Sequence, residues 1–249
     1  LHSPVRGPAA ARNLGMCQSQ ADIVAFTDAD CIAHPRWLLE LSRLYAIDPD
    51  VAGVGGAILA YAHCERTDVE RFLDEHPPLI NWVSSADQYL PHLLTANASY
   101  RRALLHRVGG FNPYHLAADD VDLSWRLQVE LGARLAYAPK AVVYHHHRAT
   151  RAGLARRYRR TGFVEVLLDT MFWDAPGFRR RRGYHLRRLV GQCTPYEAAV
   201  PLLAFLRESS NIRGKLEGLW ATRLMTDAEP ALNLETGRMI GRLFSAQKE

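Results

Sequence analysis

Three groups of residues in this chain have the types and spacing to do chemistry. The first is Asp28-Ala29-Asp30, two carboxylates one residue apart directly after the apolar run Ile23-Val24-Ala25-Phe26. Carboxylates held this close repel each other unless a cation lies between them, and a hard divalent ion such as Mg²⁺ favours oxygen ligands. A metal bound there can in turn grip a diphosphate. The second group, Asp119-Asp120-Val121-Asp122, stands well downstream at the start of an expected helix. Acids in a first turn cap a helix and suit its dipole, and Asp122 is four residues from Arg126. A carboxylate there, facing a metal–diphosphate site, is also placed to act as a general base toward an incoming hydroxyl. The third group is His145-His146-His147, closing an apolar strand. His145 and His147 share one face of that strand, so at most two of the three converge on one metal.

The elements that must position these groups are short and alternate in type. Pro8 to about Ser19 predicts a helix with proline in its first turn, and Ile23–Thr27 a buried strand. His34-Pro35 opens a second helix with Trp37, Leu38, Leu41 and Leu44 at helical spacing. Val51–Leu59 is a strand punctuated by glycines, which serve close packing, since G-V-G-G lacks the spacing of a nucleotide loop. Residues 62–92 are expected to be irregular, broken by Pro77-Pro78 and Pro91. A strand over Leu93–Tyr100 and a short helix over Arg101–Val108 follow. Asp119–Leu131 is a helix stopped by Gly132, and two strands span Leu135–Ala138 and Ala141–His145. In an open α/β sheet ligands bind beyond the carboxyl ends of the strands, which is where the first acidic pair stands.

Hydrophobic content of 48% with 23% charged residues places the chain among soluble globular proteins. Its net charge of +5 is unevenly spread. Residues 151–190 hold 11 Arg against Glu165, Asp169 and Asp174, a local +8 that leaves −3 for the remainder. An anionic partner is expected to meet that segment. Cys17, Cys31, Cys64 and Cys193 are widely spaced and read as reduced thiols of a cytoplasmic protein. No 18-residue apolar run is present. The chain opens at Leu1, and Pro8–Gly15 already has the pattern of a fold's interior, so a truncated front end is expected.

With the three groups in this order, the chain resembles family-2 glycosyltransferases of the GT-A fold. The resemblance rests on Gly7-Pro8-Ala9-Ala10-Ala11-Arg12-Asn13, Thr27-Asp28-Ala29-Asp30, Asn97-Ala98-Ser99-Tyr100-Arg101-Arg102, Val108-Gly109-Gly110-Phe111-Asn112, Asp119-Asp120-Val121-Asp122-Leu123 and Val143-Tyr144-His145. It implies an α/β fold, a mixed sheet flanked by helices with the first strands missing. Residues 1–148 would be the catalytic domain and 149–249 a basic helical appendage. The implied activity is inverting transfer from a nucleotide-diphosphate sugar to the hydroxyl of a saccharide or lipid-linked acceptor. Asp28, Asp30 and His145 would hold Mg²⁺ or Mn²⁺. Asp120 would be the base and Asp119, in the family's glutamate position, would orient acceptor or sugar. Asn97, Arg101 and Arg102 would place the donor sugar or its pyrophosphate. The Q-x-x-R-W motif of processive relatives is absent, and Arg156-Arg157-Tyr158-Arg159-Arg160-Thr161-Gly162-Phe163 stands in its region, implying a non-processive enzyme.

Arg156, Arg157, Arg159 and Arg160 around Tyr158, then Arg179–Arg182, Arg187 and Arg188, form a basic-aromatic stretch. An anionic membrane surface is the expected partner, giving a peripheral protein of the cytoplasmic face. No motif supports nucleic acid. Two rival readings are a sugar-phosphate nucleotidyltransferase and a non-catalytic membrane-associated scaffold with a degenerate transferase fold. Trp37 and Trp125, at helical spacing, read as core.

Overall fold

The computed structural model describes residues 7–61, 65–81, 89–113, 115, 117–147, 150–178 and 201–226. In chain order the elements are α1 (Pro8–Gln18), β1 (Ile23–Phe26), β2 (Cys31–Ala33), α2 (Trp37–Ile47), β3 (Val51–Ala60), α3 (Asp68–Glu75), a 3₁₀ turn (Thr95–Asn97), β4 (Ala98–Arg101), α4 (Arg102–Arg107), α5 (Asp119–Leu131), β5 (Arg134–His145), α6 (Arg151–Met171) and α7 (Pro201–Thr226). They form two compact units. The first comprises Leu1–Glu65, Leu73–Pro113 and Asp119–His147, and the second Arg66–Phe72, Tyr114–Ala118 and Arg148–Glu249.

The first unit is built on a five-stranded sheet in the order β1-β4-β3-β5-β2. Its central pair β3–β5 is parallel and the other pairings are antiparallel. Alternation along β1 shows how the sheet is covered. Val24 and Phe26 pack with Tyr100, Leu105, Phe111, Leu123 and Leu127, a core that joins α1, α4 and α5. Ile23 and Ala25 pack instead with Leu41, Tyr45, Val54 and Ala138, under α2. Helices thus cover both faces, and β3 is fully buried from Val51 to Gly56, consistent with its uninterrupted small and apolar sequence. The glycines of β3 serve packing: a Cβ at Gly53 would press on the Tyr100 ring, and one at Gly56 would overlap the Ala141 carbonyl.

Four elements differ from expectation. The strand expected over Leu93–Tyr100 begins only at Ala98. The Asn81 side chain takes over its edge, accepting from Leu94 N–H (2.5 Å) and donating to the carbonyls of Asn97 (2.6 Å) and Gly56 (2.8 Å). The two strands expected at 135–138 and 141–145 are one strand, β5, whose register against β3 jumps between Ala138 and Val142. Pro139, which has no N–H to donate, lies in the bulge. Cys31–Ala33, for which no element was expected, adds an edge strand on β5. Within the supposedly irregular 62–92, α3 is a helix begun by a capping box. Thr67 Oγ1 accepts from Glu70 N–H (3.2 Å), and the Glu70 carboxylate accepts from Thr67 N–H (2.8 Å).

In the second unit α6 and α7 run side by side in the same direction, with Tyr158 meeting Asn211, Arg159 meeting Gly214 and Val166 meeting Gly218. A Cβ at Gly214 would overlap the Arg159 carbonyl, and one at Gly162 that of Asn211. The close approach is lined by the ion pairs Lys215–Glu165 (3.0 Å) and Arg159–Glu217 (2.7 Å). Among the described residues, no helix is long and apolar enough to cross a membrane.

Candidate active site

The site is assembled around the turn Val108–Asn112. Gly109 and Gly110 adopt φ of 76° and 71°, a region that side chains disfavour. From α1, the Asn13 carboxamide pairs with the backbone of Phe111, donating to its carbonyl (2.7 Å) and accepting from its N–H (2.8 Å). From α5, buried Arg126 donates to the carbonyls of Val108 (2.6 Å) and Gly110 (2.7 Å) and is itself held by Asp122 (2.8 Å). Asp122 and Arg126 therefore fix α5 to the turn. Arg12, the neighbour of Asn13, is carried with it over the Phe111 ring, 5.7 Å from its centroid.

There the Arg12 guanidinium donates to Asp28 (2.9 Å) and to Asp119 (2.8 Å), joining the two acidic groups that the sequence separates. Burial works against its charge, but Asp119, Asp28 and Asp120 outweigh this and raise its pKa above the ordinary value. Asp119 is buried, and its pKa is pushed up to about 7, first by burial and then by the adjacent Asp120 carboxylate, with Arg12 opposing. Asp120 accepts from Thr95 N–H (3.1 Å) and Oγ1 (3.4 Å) through one oxygen and from Val121 N–H (3.0 Å) through the other. His92, buried beside it, has its pKa lowered by burial, an effect that Asp120 opposes.

The opposite side of the acidic loop meets the histidine strand. Asp30 Oδ1 lies 3.6 Å from His145 Nε2, and His145 is buried. Cys31 pairs directly with His145 across β2 and β5. One ligand atom each from Asp30, Cys31 and His145 falls within 4.8 Å of the others. Burial pushes the Cys31 thiol up to about 11. A carboxylate, an imidazole and a sulfur gathered at one point fit a divalent cation. Asp28, also expected to hold the metal, accepts from Arg12 (2.9 Å). His147 lies on the His145 face, 4.0 Å from Asp74, whereas His146 stacks on Tyr61 at 4.1 Å.

Three residues expected to place the donor have their polar groups bonded within the fold. Asn97 is fully buried, with its amide donating to the carbonyls of Ala57 and Ala141 (2.8 Å each) and its oxygen accepting from Trp37 Nε1 (2.7 Å). That consumes both its donors and ties the β5 bulge to α2. Arg101 pairs with Ile23, at the opposite end of β1 from Asp28. It donates to the carbonyls of Val51 (2.9 Å) and Pro49 (2.8 Å), and Arg102 donates to that of Ala21 (2.8 Å). Both close the base of the sheet. Conversely, the sequence reading gave no role to Arg12 or Cys31. An arginine beside the turn-binding asparagine and a sulfur directly after the acidic pair were the available signals.

Residues 23–210 match the model of glycosyl transferase family group 2. The chain belongs to this family. A pre-mycofactocin glycosyltransferase of Mycobacterium tuberculosis is 39% identical over 154 residues, covering 59% of this chain and 32% of the relative. A glucosyl-dolichyl phosphate glucuronosyltransferase of Haloferax volcanii is 26% identical over 188 residues, covering 68% of this chain and 58% of the relative. The chain thus spans 32% and 58% of these two relatives' lengths. The solved mannosyltransferase of Pyrobaculum calidifontis, in complex with GDP-Man and Mn²⁺, superposes with a TM-score of 0.51 at 21% identity, covering 86% of this chain and 67% of that one. The fold is the expected GT-A-like mixed sheet flanked by helices.

Proposed function

We propose that this chain is the catalytic part of a metal-dependent, inverting glycosyltransferase, moving a sugar from a nucleotide-diphosphate donor to an acceptor hydroxyl. The observation that carries the reading is the Arg12 bridge, which holds the acidic strand-end and the acid-rich start of α5 together at 2.8–2.9 Å. Displacing a nucleoside diphosphate from an anomeric carbon builds negative charge on the leaving oxygen, and the attacking hydroxyl must lose a proton on the other side. Asp30 and His145 would hold the divalent cation, which when bound supplies the positive charge that the leaving diphosphate needs. Asp120 would take the acceptor's proton. Its Thr95 and Val121 bonds fix both carboxylate oxygens in direction. Asp119 would orient the acceptor or sugar from its place against Arg12.

Family membership supports glycosyl transfer. The P. calidifontis mannosyltransferase, which shares the fold, was solved with GDP-Man and Mn²⁺, and the H. volcanii relative is named for a dolichyl phosphate acceptor. A nucleotide-sugar donor and a saccharide or lipid-linked acceptor are the corresponding substrates here. The test is turnover by the parent protein against a panel of nucleotide sugars, with and without Mg²⁺ or Mn²⁺. Metal-dependent release of nucleoside diphosphate is expected. Release of pyrophosphate would point to a nucleotidyltransferase, and no release with any donor would point to a scaffold.

A further inference from the structure

The cation site just proposed leaves one neighbour without a role, and this inference rests on that reading. Cys31 stands directly opposite His145 in the β2–β5 ladder. Directly paired residues of antiparallel strands project their side chains on the same face, with Cβ atoms about 4.5–5.5 Å apart. Backbone register, rather than one rotamer, therefore brings the sulfur to the imidazole. Asp30 stands in the turn just before β2, its carbonyl accepting from His146 N–H (2.9 Å), and its carboxylate lies 3.6 Å from His145 Nε2. Asp28, the other acid of the loop, is held away by Arg12.

We propose that Cys31 is the third protein ligand of this cation, so that the centre holds a thiophilic ion such as Co²⁺ more tightly than Mn²⁺. The three ligand atoms all lie within 4.8 Å of one another. Thiolate and imidazole suit Zn²⁺ and Co²⁺, whereas Mg²⁺ demands oxygen ligands and keeps its waters. On binding, the thiol hydrogen leaves as a proton and the sulfur takes the metal, with no change of oxidation state. Three protein ligands leave a fourth position open, where a phosphate oxygen of the donor can enter.

The test titrates the chain with Co²⁺ and, separately, with Mn²⁺. Three proteins are compared: wild type, Cys31→Ser, and a variant with the other three cysteines changed to serine. A thiolate-to-Co²⁺ charge-transfer band is expected in the wild type and in the Cys31-only protein, and not in Cys31→Ser. Cys31→Ser should weaken Co²⁺ by roughly tenfold or more while changing Mn²⁺ by less than about threefold. If Cys31→Ser fails to fold, the Cys31-only protein still decides, through presence or absence of the band. Mn²⁺ bound without any thiolate band on Co²⁺ would overturn the role of Cys31 and leave the site at Asp30 and His145 standing. Binding of neither ion, or unaltered binding of both in His145→Gln, would overturn the site and this inference together.

Discussion

Arg12 is the residue on which the charge balance of the site turns. One guanidinium faces Asp28, Asp119 and Asp120, and burial together with the Asp120 carboxylate pushes Asp119 up to about 7. An unfolded aspartate titrates at 3.8, so between about pH 4 and pH 7 the folded chain binds the more protons. The stability contributed by protonated Asp119 is complete below that range and is lost as pH rises through about 7. Urea midpoints should therefore fall less steeply with pH in Asp119→Asn than in wild type over this window. Parallel profiles would remove Asp119 as the source. In Arg12→Gln the opposing cation is gone, and the window should extend to higher pH. Asp120 belongs to a different step. Asp120→Asn keeps size but gives up one of the two accepting oxygens and cannot take a proton, so kcat should drop by about 10²–10⁴-fold while donor affinity, read by nucleotide displacement, stays within a few-fold. A variant turning over at the wild-type rate would displace Asp120 from the role of base.

At the scale of elements, α1 carries Arg12 and α5 carries Asp119 and Asp120. They act by gripping the Gly109-Gly110 turn from two sides. Gly110→Ala forces a side chain into a left-handed backbone and against the Asn13 carboxamide oxygen, and should destabilise the first unit by about 1–3 kcal/mol in urea denaturation. Arg12 would lose its alignment with it, so kcat should fall too. Gly214→Ala should cost the α6–α7 pair a similar ~1–3 kcal/mol by driving the helices apart at the Arg159 carbonyl. These elements also show what a sequence discloses. β1, α2, β3 and α5 were legible because apolar period and capping residues agree with the tertiary contacts. β2 was not, since three residues carry no period and gain their strand character only from β5. α3 was hidden by neighbouring prolines, although Thr67-Asp68-Val69-Glu70 carries a capping box. In the site, acids and histidines announce themselves by type. The partition of Asp28 to Arg12 and of Cys31 to His145 depends on register, which composition does not contain. Asn97, Arg101 and Arg102 show the converse: polar groups of the kind that bind ligands here satisfy carbonyls at the sheet's edges.

For the whole molecule, charge is segregated along the chain. The segment 151–190 carries its excess of arginines partly compensated. Arg151 is paired with Asp68 and Arg159 with Glu217, while Arg179–Arg182, Arg187 and Arg188 lie outside the described residues. On α7, Leu216 and Trp220 are exposed at 56% and 67%, an aliphatic–indole pair of the kind that settles at a headgroup boundary. Basic residues near an anionic bilayer contribute about 1 kcal/mol each, and the attraction weakens as salt screens it. Sedimentation with vesicles should therefore recover the protein on phosphatidylserine-containing membranes and leave it in the supernatant with neutral phosphatidylcholine, with recovery falling as salt is raised. Changing Arg179–Arg182 together to serine should lower partitioning by roughly tenfold or more, less than the additive figure because solvent separates some of these charges from the surface. Equal recovery on neutral and anionic vesicles would end the membrane reading of the basic segment without touching the chemistry assigned to Asp120 and Asp30.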